Sequence, residues 1–160
     1  MPEAPASDGH RRLVPPIPRA LGALGLLPQG AAALLVALDP PLLRATGLLL
    51  ASGYAALILS FLGGMWWGLA AAAASPPPRW VWLAAVVPSL WALAALGVGV
   101  ALGLPRVALL PLALAILLTP LVDRRLVRDG LAPHWWLRLR VPLSVGLALL
   151  TAIVAMLVSR

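Results

Sequence analysis

The chain has 160 residues, 62% of them hydrophobic and 11% charged, with a formal net charge of +7 and a mean hydropathy of +0.99. A soluble domain is about 45–50% apolar, and surface-to-volume scaling gives one small core no room for the surplus, so a soluble globular fold is excluded and lipid is the expected solvent. The lack of cysteine excludes disulfides, thiolate metal sites and cysteine nucleophiles, and all twelve cationic residues are arginines set beside apolar runs, a placement that argues against nucleic acid as a partner.

Residues 1–16 are polar and proline-rich and read as a disordered tail. Arg11 and Arg12 resemble the basic start of a signal peptide. The apolar stretch behind them is longer than a signal's core, however, and the Ala-Leu-Asp-Pro that follows is a poor cleavage sequence. An uncleaved first span over 19–38 is therefore expected. Pro15, Pro16 and Pro18 suit a helix start, Pro28 beside Gln29 should kink the span, and Asp39-Pro40-Pro41 ends it.

The apolar run 42–74 exceeds one bilayer crossing and is too short for two. It reads as one tilted or overhanging span over 43–70, with Gly63-Gly64 as a candidate break. Ser75-Pro76-Pro77-Pro78 stops it. A third span is expected over 80–102 with Pro88 inside, a tight turn at Gly103-Leu104-Pro105, and a short fourth span over 107–122 carrying Pro111 and Pro120. Residues 123–140 read as a basic loop before a fifth span over 141–158. The fold class expected is thus an all-α integral membrane protein, a bundle of about five transmembrane helices. No internal repeat of the inverted-transporter kind is visible.

With five spans, Arg11, Arg12, Arg19, Arg79, Arg124, Arg125, Arg128, Arg138 and Arg140 lie on one side and Arg44, Arg106 and Arg160 on the other. By the positive-inside rule this predicts a cytoplasmic N-terminus and an external C-terminus. Trp66, Trp67, Trp80, Trp82, Trp135 and Trp136 fall near the same side, as indoles at headgroup level would. Trp91 sits at depth.

The stretch Ser60-Phe-Leu-Gly-Gly-Met-Trp-Trp-Gly68 is the most distinctive local feature. Ser60, Gly64 and Gly68 share one helix face, and Gly99 and Gly103 repeat the spacing. Small residues so placed let helices approach closely. The bland reading is packing within the chain, and the sharper one is a ligand or lipid groove at Gly63-Gly64. The intramembrane polar set reads as Gln29, Ser52, Tyr54, Ser60, Ser89, Thr119, Ser144 and Thr151, without an acid or base, which speaks against a proton pump. Gln29 is the best intramembrane polar candidate, or else simply a partner for a carbonyl that Pro28 frees. Asp123, Arg124, Arg125, Arg138 and Arg140, with Trp135 and Trp136, read as a solvated topology-setting loop or as a lipid- or partner-docking face. His134 stands beside two indoles with no carboxylate pair or serine motif near it. No catalytic constellation, metal-ligand spacing or phosphate loop is seen, and no cofactor is expected.

Together, Ile17-Pro-Arg-Ala-Leu-Gly22, the 60–68 stretch, Asp123-Arg-Arg125 and Trp136-Leu-Arg-Leu-Arg-Val-Pro142 resemble the domain of unknown function 3429 family, to which mitochondrial transmembrane protein 69 is similar. The resemblance spans about residues 16–157. It implies a bacterial inner-membrane or mitochondrial membrane protein of about five spans and no activity. The expectation is a non-enzymatic component acting through lipid or a membrane-protein partner. A small transporter or channel subunit working as a homo-oligomer comes second, and a lipid-modifying enzyme using the Asp123 cluster comes last.

Overall fold

A computed structural model describes residues 13–38 and 40–158; the residues before 13, Asp39 and Arg160 carry expectations that lie outside them. The elements are α1 (Pro16–Leu24), α2 (Leu27–Ala37), α3 (Pro41–Ala71), α4 (Arg79–Leu102), α5 (Pro105–Arg128) and α6 (Trp136–Leu157). With α1 and α2 taken as one span, five helical segments are long and apolar enough to cross a membrane. The helices α2, α3, α4, α5 and α6 pack in a closed ring in that order, and α3 and α5 also meet across it.

Prolines open most helices: Pro15 precedes α1, Pro40 precedes α3, Pro78 precedes α4, and Pro105 starts α5. Their fixed φ suits a first turn, and the N–H they lack would be unsatisfied there anyway. Gly103 ends α4 in the left-handed region at φ 64°, and Leu104 N–H bonds back to the Gly99 carbonyl at 3.0 Å. A residue with a Cβ adopts that conformation only at a cost.

The seams are made by small side chains. Gly99 faces Ala108 so closely that an added Cβ would sit 2.6 Å from the alanine methyl. Gly47 lies against the Ala32 carbonyl in the same way, at 2.8 Å. Gly63 packs against the Ala85 carbonyl. In lipid there is little hydrophobic drive between helices, so close approach and the dispersion it brings hold such seams. Leucine, valine and isoleucine are left on the outside, Leu42, Val100 and Leu49 among the most exposed.

Three expectations change. Gly63-Gly64 does not break α3, which runs unbroken for 31 residues, about 46 Å at ~1.5 Å per residue. It outreaches a hydrocarbon core of about 30 Å, as a tilted or overhanging span would. The small-residue face Ser60, Gly64 and Gly68 points outward: all three are exposed, and space is open around both glycines. Gly63, one residue off that face, makes the contact instead. The basic segment 123–140 is mostly helical, because α5 continues to Arg128 and α6 begins at Trp136. The connection is only the segment between them, turned by Gly130 at φ 72°.

The first span breaks one turn before the expected kink. Pro28 has no N–H to return to the Leu24 carbonyl, and α1 ends at that residue. Tyr54 donates its hydroxyl to the Gly25 carbonyl at the break. Beyond it, α2 packs on α3 and α6, whereas α1 has no buried residue and rests chiefly on α6.

Candidate functional site

The buried polar groups collect at the arginine-rich end of the bundle. Along α5 the inward face carries Ile116, Thr119, Asp123 and Leu126. Along α6 it carries Arg140, Ser144, Leu147 and Thr151. The two helices run antiparallel, so four residues up one match four residues down the other. Asp123 therefore meets Arg140 at 3.0 Å (Nε to Oδ2), and Thr119 meets Ser144 at 3.1 Å.

Asp123 is 0% exposed and Arg140 9%. The other carboxylate oxygen, Oδ1, accepts the indole N–H of Trp66 at 2.9 Å and that of Trp136 at 3.0 Å. Arg140 Nη2 reaches the Thr119 hydroxyl at 3.5 Å. Thr119 in turn donates to the Ile116 carbonyl at 2.8 Å, which Pro120 leaves without a helical N–H. One carboxylate thus binds three helices, α3 through Trp66, α6 through Trp136 and Arg140, and its own α5. A charge out of water is tolerated only when paired and hydrogen-bonded, and here both conditions hold.

Around this buried knot lies an exposed ring. Arg124, Arg125, Arg128 and Arg138 are exposed. Arg125 lies 4.3 Å over the Trp80 ring, and Trp80 donates to Asp129 at 3.2 Å, joining the end of α5 to the start of α4. Trp67 and Trp82 meet edge to face with centroids 4.8 Å apart. Trp135 and Trp136 pack at 5.7 Å.

The docking face read from the sequence therefore divides. Arg124, Arg125, Arg138 and half-buried Trp135 stay at the surface, while Asp123, Arg140 and the Trp136 N–H turn inward. A carboxylate and a guanidinium thus join the buried polar groups of the bundle. Trp66 is buried within the bundle. Trp91 is half exposed, with its N–H bonded to the Pro111 carbonyl at 3.1 Å.

A second polar contact lies further into the bundle. Gln29, on α2 and 0% exposed, donates through Nε2 to Thr151 Oγ1 at 2.9 Å, and Thr151 donates to the Leu147 carbonyl. Gln29 thus bonds a hydroxyl rather than a carbonyl freed by Pro28. Its Oε1 is buried with no hydrogen-bond partner among the described residues. At the opposite end, Arg44 donates to the Leu157 and Val158 carbonyls at 3.4 Å, placing a cation on the negative end of α6. Ser60 and Ser89 share a hydrogen bond of 3.0 Å between α3 and α4.

Two cavities of about 400 Å³ flank the knot. One lies among α3, α4 and α5, with an almost wholly apolar lining that includes Trp66, Pro88, Trp91 and Thr119. The other lies between α1, α3 and α6, where α1 leans away from α3; Phe61, Met65, Leu139 and Leu143 line it, and Arg140 and Ser144 reach its inner wall. Among the described residues, no group of three or more His, Cys, Asp or Glu side chains is arranged to hold a metal ion.

The sequence profile described as "Protein of unknown function (DUF3429)" matches residues 14–157, close to the whole chain. No curated protein and no solved structure matches, so the likeness to mitochondrial transmembrane protein 69 gains no support from those comparisons.

Proposed function

We propose that this chain, which belongs to the DUF3429 family of proteins of unknown function, is a non-enzymatic component of a bacterial inner membrane that holds anionic lipid, or a partner protein, against its arginine- and tryptophan-rich end. The observation that carries this reading is the division of labour at that end. Asp123 and Arg140 neutralise each other inside the bundle, while Arg124, Arg125, Arg128 and Arg138 stand exposed around them with Arg19 and Arg79. A neutral, fully bonded core beneath a cationic rim is what holding an anionic surface requires. Each basic side chain near anionic lipid contributes about 1 kcal/mol. The same bias supports a cytoplasmic arginine-rich end, with the N-terminus inside and the C-terminus outside.

The test is native mass spectrometry of the chain extracted in mild detergent, unmodified and as Arg124→Gln/Arg125→Gln/Arg128→Gln. Retained anionic lipid or a stoichiometric partner should fall sharply in the triple variant at unchanged folding. Equal retention would sink the reading.

A second reading, a small transporter or channel subunit acting as a homo-oligomer, is favoured by one feature. The first span is discontinuous, and just beyond its break lies Gln29, whose buried Oε1 lacks a partner. Broken membrane helices with unmet polar groups often line substrate sites. A reconstituted protein that stays monomeric and passes no solute would remove it.

A further inference from the structure

We propose that the cleft between α1, α3 and α6 binds one free fatty acid, its carboxylate held by the guanidinium of Arg140 and its chain laid along the apolar walls. This goes beyond the lipid-holding reading above and does not depend on it, since Arg124, Arg125 and Arg128 take no part.

The cleft follows from the broken first span. Beyond the break α2 keeps to the ring, whereas α1 leans on α6 through Gly22, where an added Cβ would sit 2.6 Å from Leu143 Cδ1. The wedge left towards α3 has a volume of about 400 Å³, within the roughly 300–1,000 Å³ of ligand sites. Leu21, Phe61, Met65, Leu143 and Leu147 give it apolar walls. Arg140 is the one charged residue among the described residues that line it.

Arg140 has N–H groups to spare. A guanidinium carries five, in a fixed planar fork. Nε donates to Asp123 Oδ2 at 3.0 Å and Nη2 to Thr119 Oγ1 at 3.5 Å. Both acceptors belong to α5. Nη1, at the other edge of the plane, has no hydrogen-bond partner among the described residues. Nor is it sealed in: among the described residues, the wholly buried side-chain polar atom left without a partner is Gln29 Oε1. Nη1 is therefore the part of Arg140 left open to the cleft.

The residue as a whole is 9% exposed. A group that reaches so deep a cation must be the bare end of its molecule. A phospholipid phosphate carries a further polar head, which would have to enter the apolar cleft with it. A fatty-acid carboxylate ends in two oxygens and nothing more. Guanidinium and carboxylate form short, charge-assisted hydrogen bonds. From Arg140 the cleft runs on past Leu143 to Leu147, about 10 Å at ~1.5 Å per residue, a leucine wall for the methylenes behind the carboxylate. The charges also balance. Asp123 and Arg140 cancel, so a further carboxylate needs a positive counterpart. Pro18, in the first turn of α1, and Trp135, at the N-cap of α6, both line the cleft. Each helix N-terminus acts as about half an elementary positive charge, and the two together offset one carboxylate.

The experiment is native mass spectrometry of the delipidated full chain in mild detergent, titrated with oleic acid or oleyl alcohol at a mildly alkaline pH that ionises the acid. One oleate should bind per chain, roughly tenfold tighter than the alcohol, as one hydrogen bond to a charged group provides. Arg140→Lys keeps a cation for Asp123 and gives up the Nη1 arm of the fork. It should lower oleate affinity roughly tenfold and leave the alcohol unchanged. Met65→Trp, which fills the cleft from α3, should abolish binding of both. Equal affinity of the unmodified chain for acid and alcohol overturns the proposal, and that comparison needs no variant to fold. Undiminished oleate binding in a folded Arg140→Lys or Met65→Trp protein overturns it too. So does phosphatidylglycerol that displaces oleate one for one, since the cleft would then admit a phospholipid head.

Discussion

Replacing Arg140 by methionine, similar in length and without charge, leaves the Asp123 carboxylate at 0% exposure with two indole donors and no cation. Breaking a buried ion pair by removing one partner costs about 3–5 kcal/mol, or roughly two to four decades in the folding equilibrium. Asp123→Leu should cost a similar amount, because it strands the guanidinium and the N–H groups of Trp66 and Trp136. The double variant removes both charges. What remains is two indole N–H groups without an acceptor, about 2–6 kcal/mol at 1–3 kcal/mol per buried unsatisfied donor. The double variant should therefore lie several kcal/mol below the sum of the singles, the signature of direct coupling. Reversible unfolding in mixed micelles of dodecyl sulfate and a mild detergent, followed by circular dichroism, gives the three values. Additive effects, or single variants each costing under about 1 kcal/mol as surface ion pairs do, would refute a buried, charged knot.

Gly63→Ala should destabilise the chain by about 1–3 kcal/mol, since the new Cβ meets the Ala85 carbonyl with no slack in the α3–α4 seam. Gly64→Ala, in open space on the next residue, should stabilise by about 0.5–1 kcal/mol through helix propensity; the same unfolding assay separates the two signs. Gly103→Ala should cost about 1–2 kcal/mol at its left-handed φ of 64°, visible as a lower thermal midpoint in detergent. Tyr54→Phe removes the hydroxyl donated to Gly25 and should cost about 0.5–1.5 kcal/mol, with faster hydrogen exchange confined to the first span.

The architecture is legible in the sequence because bilayer thickness imposes its own period. Each apolar run of sufficient length forms one helix except the first, which divides into α1 and α2, and the proline and glycine punctuation at 40–41, 76–78 and 103–105 separates the spans as expected. Helix ends were harder. On hydropathy the fourth span ends at Val122, where Asp123-Arg-Arg begins and charge points to water. Hydropathy has no means of distinguishing a solvated Asp123 from one neutralised by Arg140, seventeen residues later on another helix. A pattern did exist: Asp123 stands four residues beyond Thr119, and Arg140 four before Ser144. Two polar residues on one face of each neighbouring helix, in antiparallel order, are what a buried ladder looks like in sequence.

The glycines show why spacing alone misassigns a face. Ser60, Gly64 and Gly68 obey the four-residue rule and face outward, whereas Gly63 breaks it and makes the closest contact with α4. A four-residue spacing establishes that residues share a face, not which way the face looks. The deciding information is carried by the large residues beside them: Leu59, Leu62 and Trp66 are buried, Leu57, Phe61 and Trp67 are exposed, and Gly63 falls within the first arc and Gly64 within the second. The inward arc is fixed by Trp66, because its N–H must reach Asp123. The buried charge therefore does more than join three helix ends: it sets the rotation of α3, and with it which glycine meets Ala85 and which small residues are left for lipid.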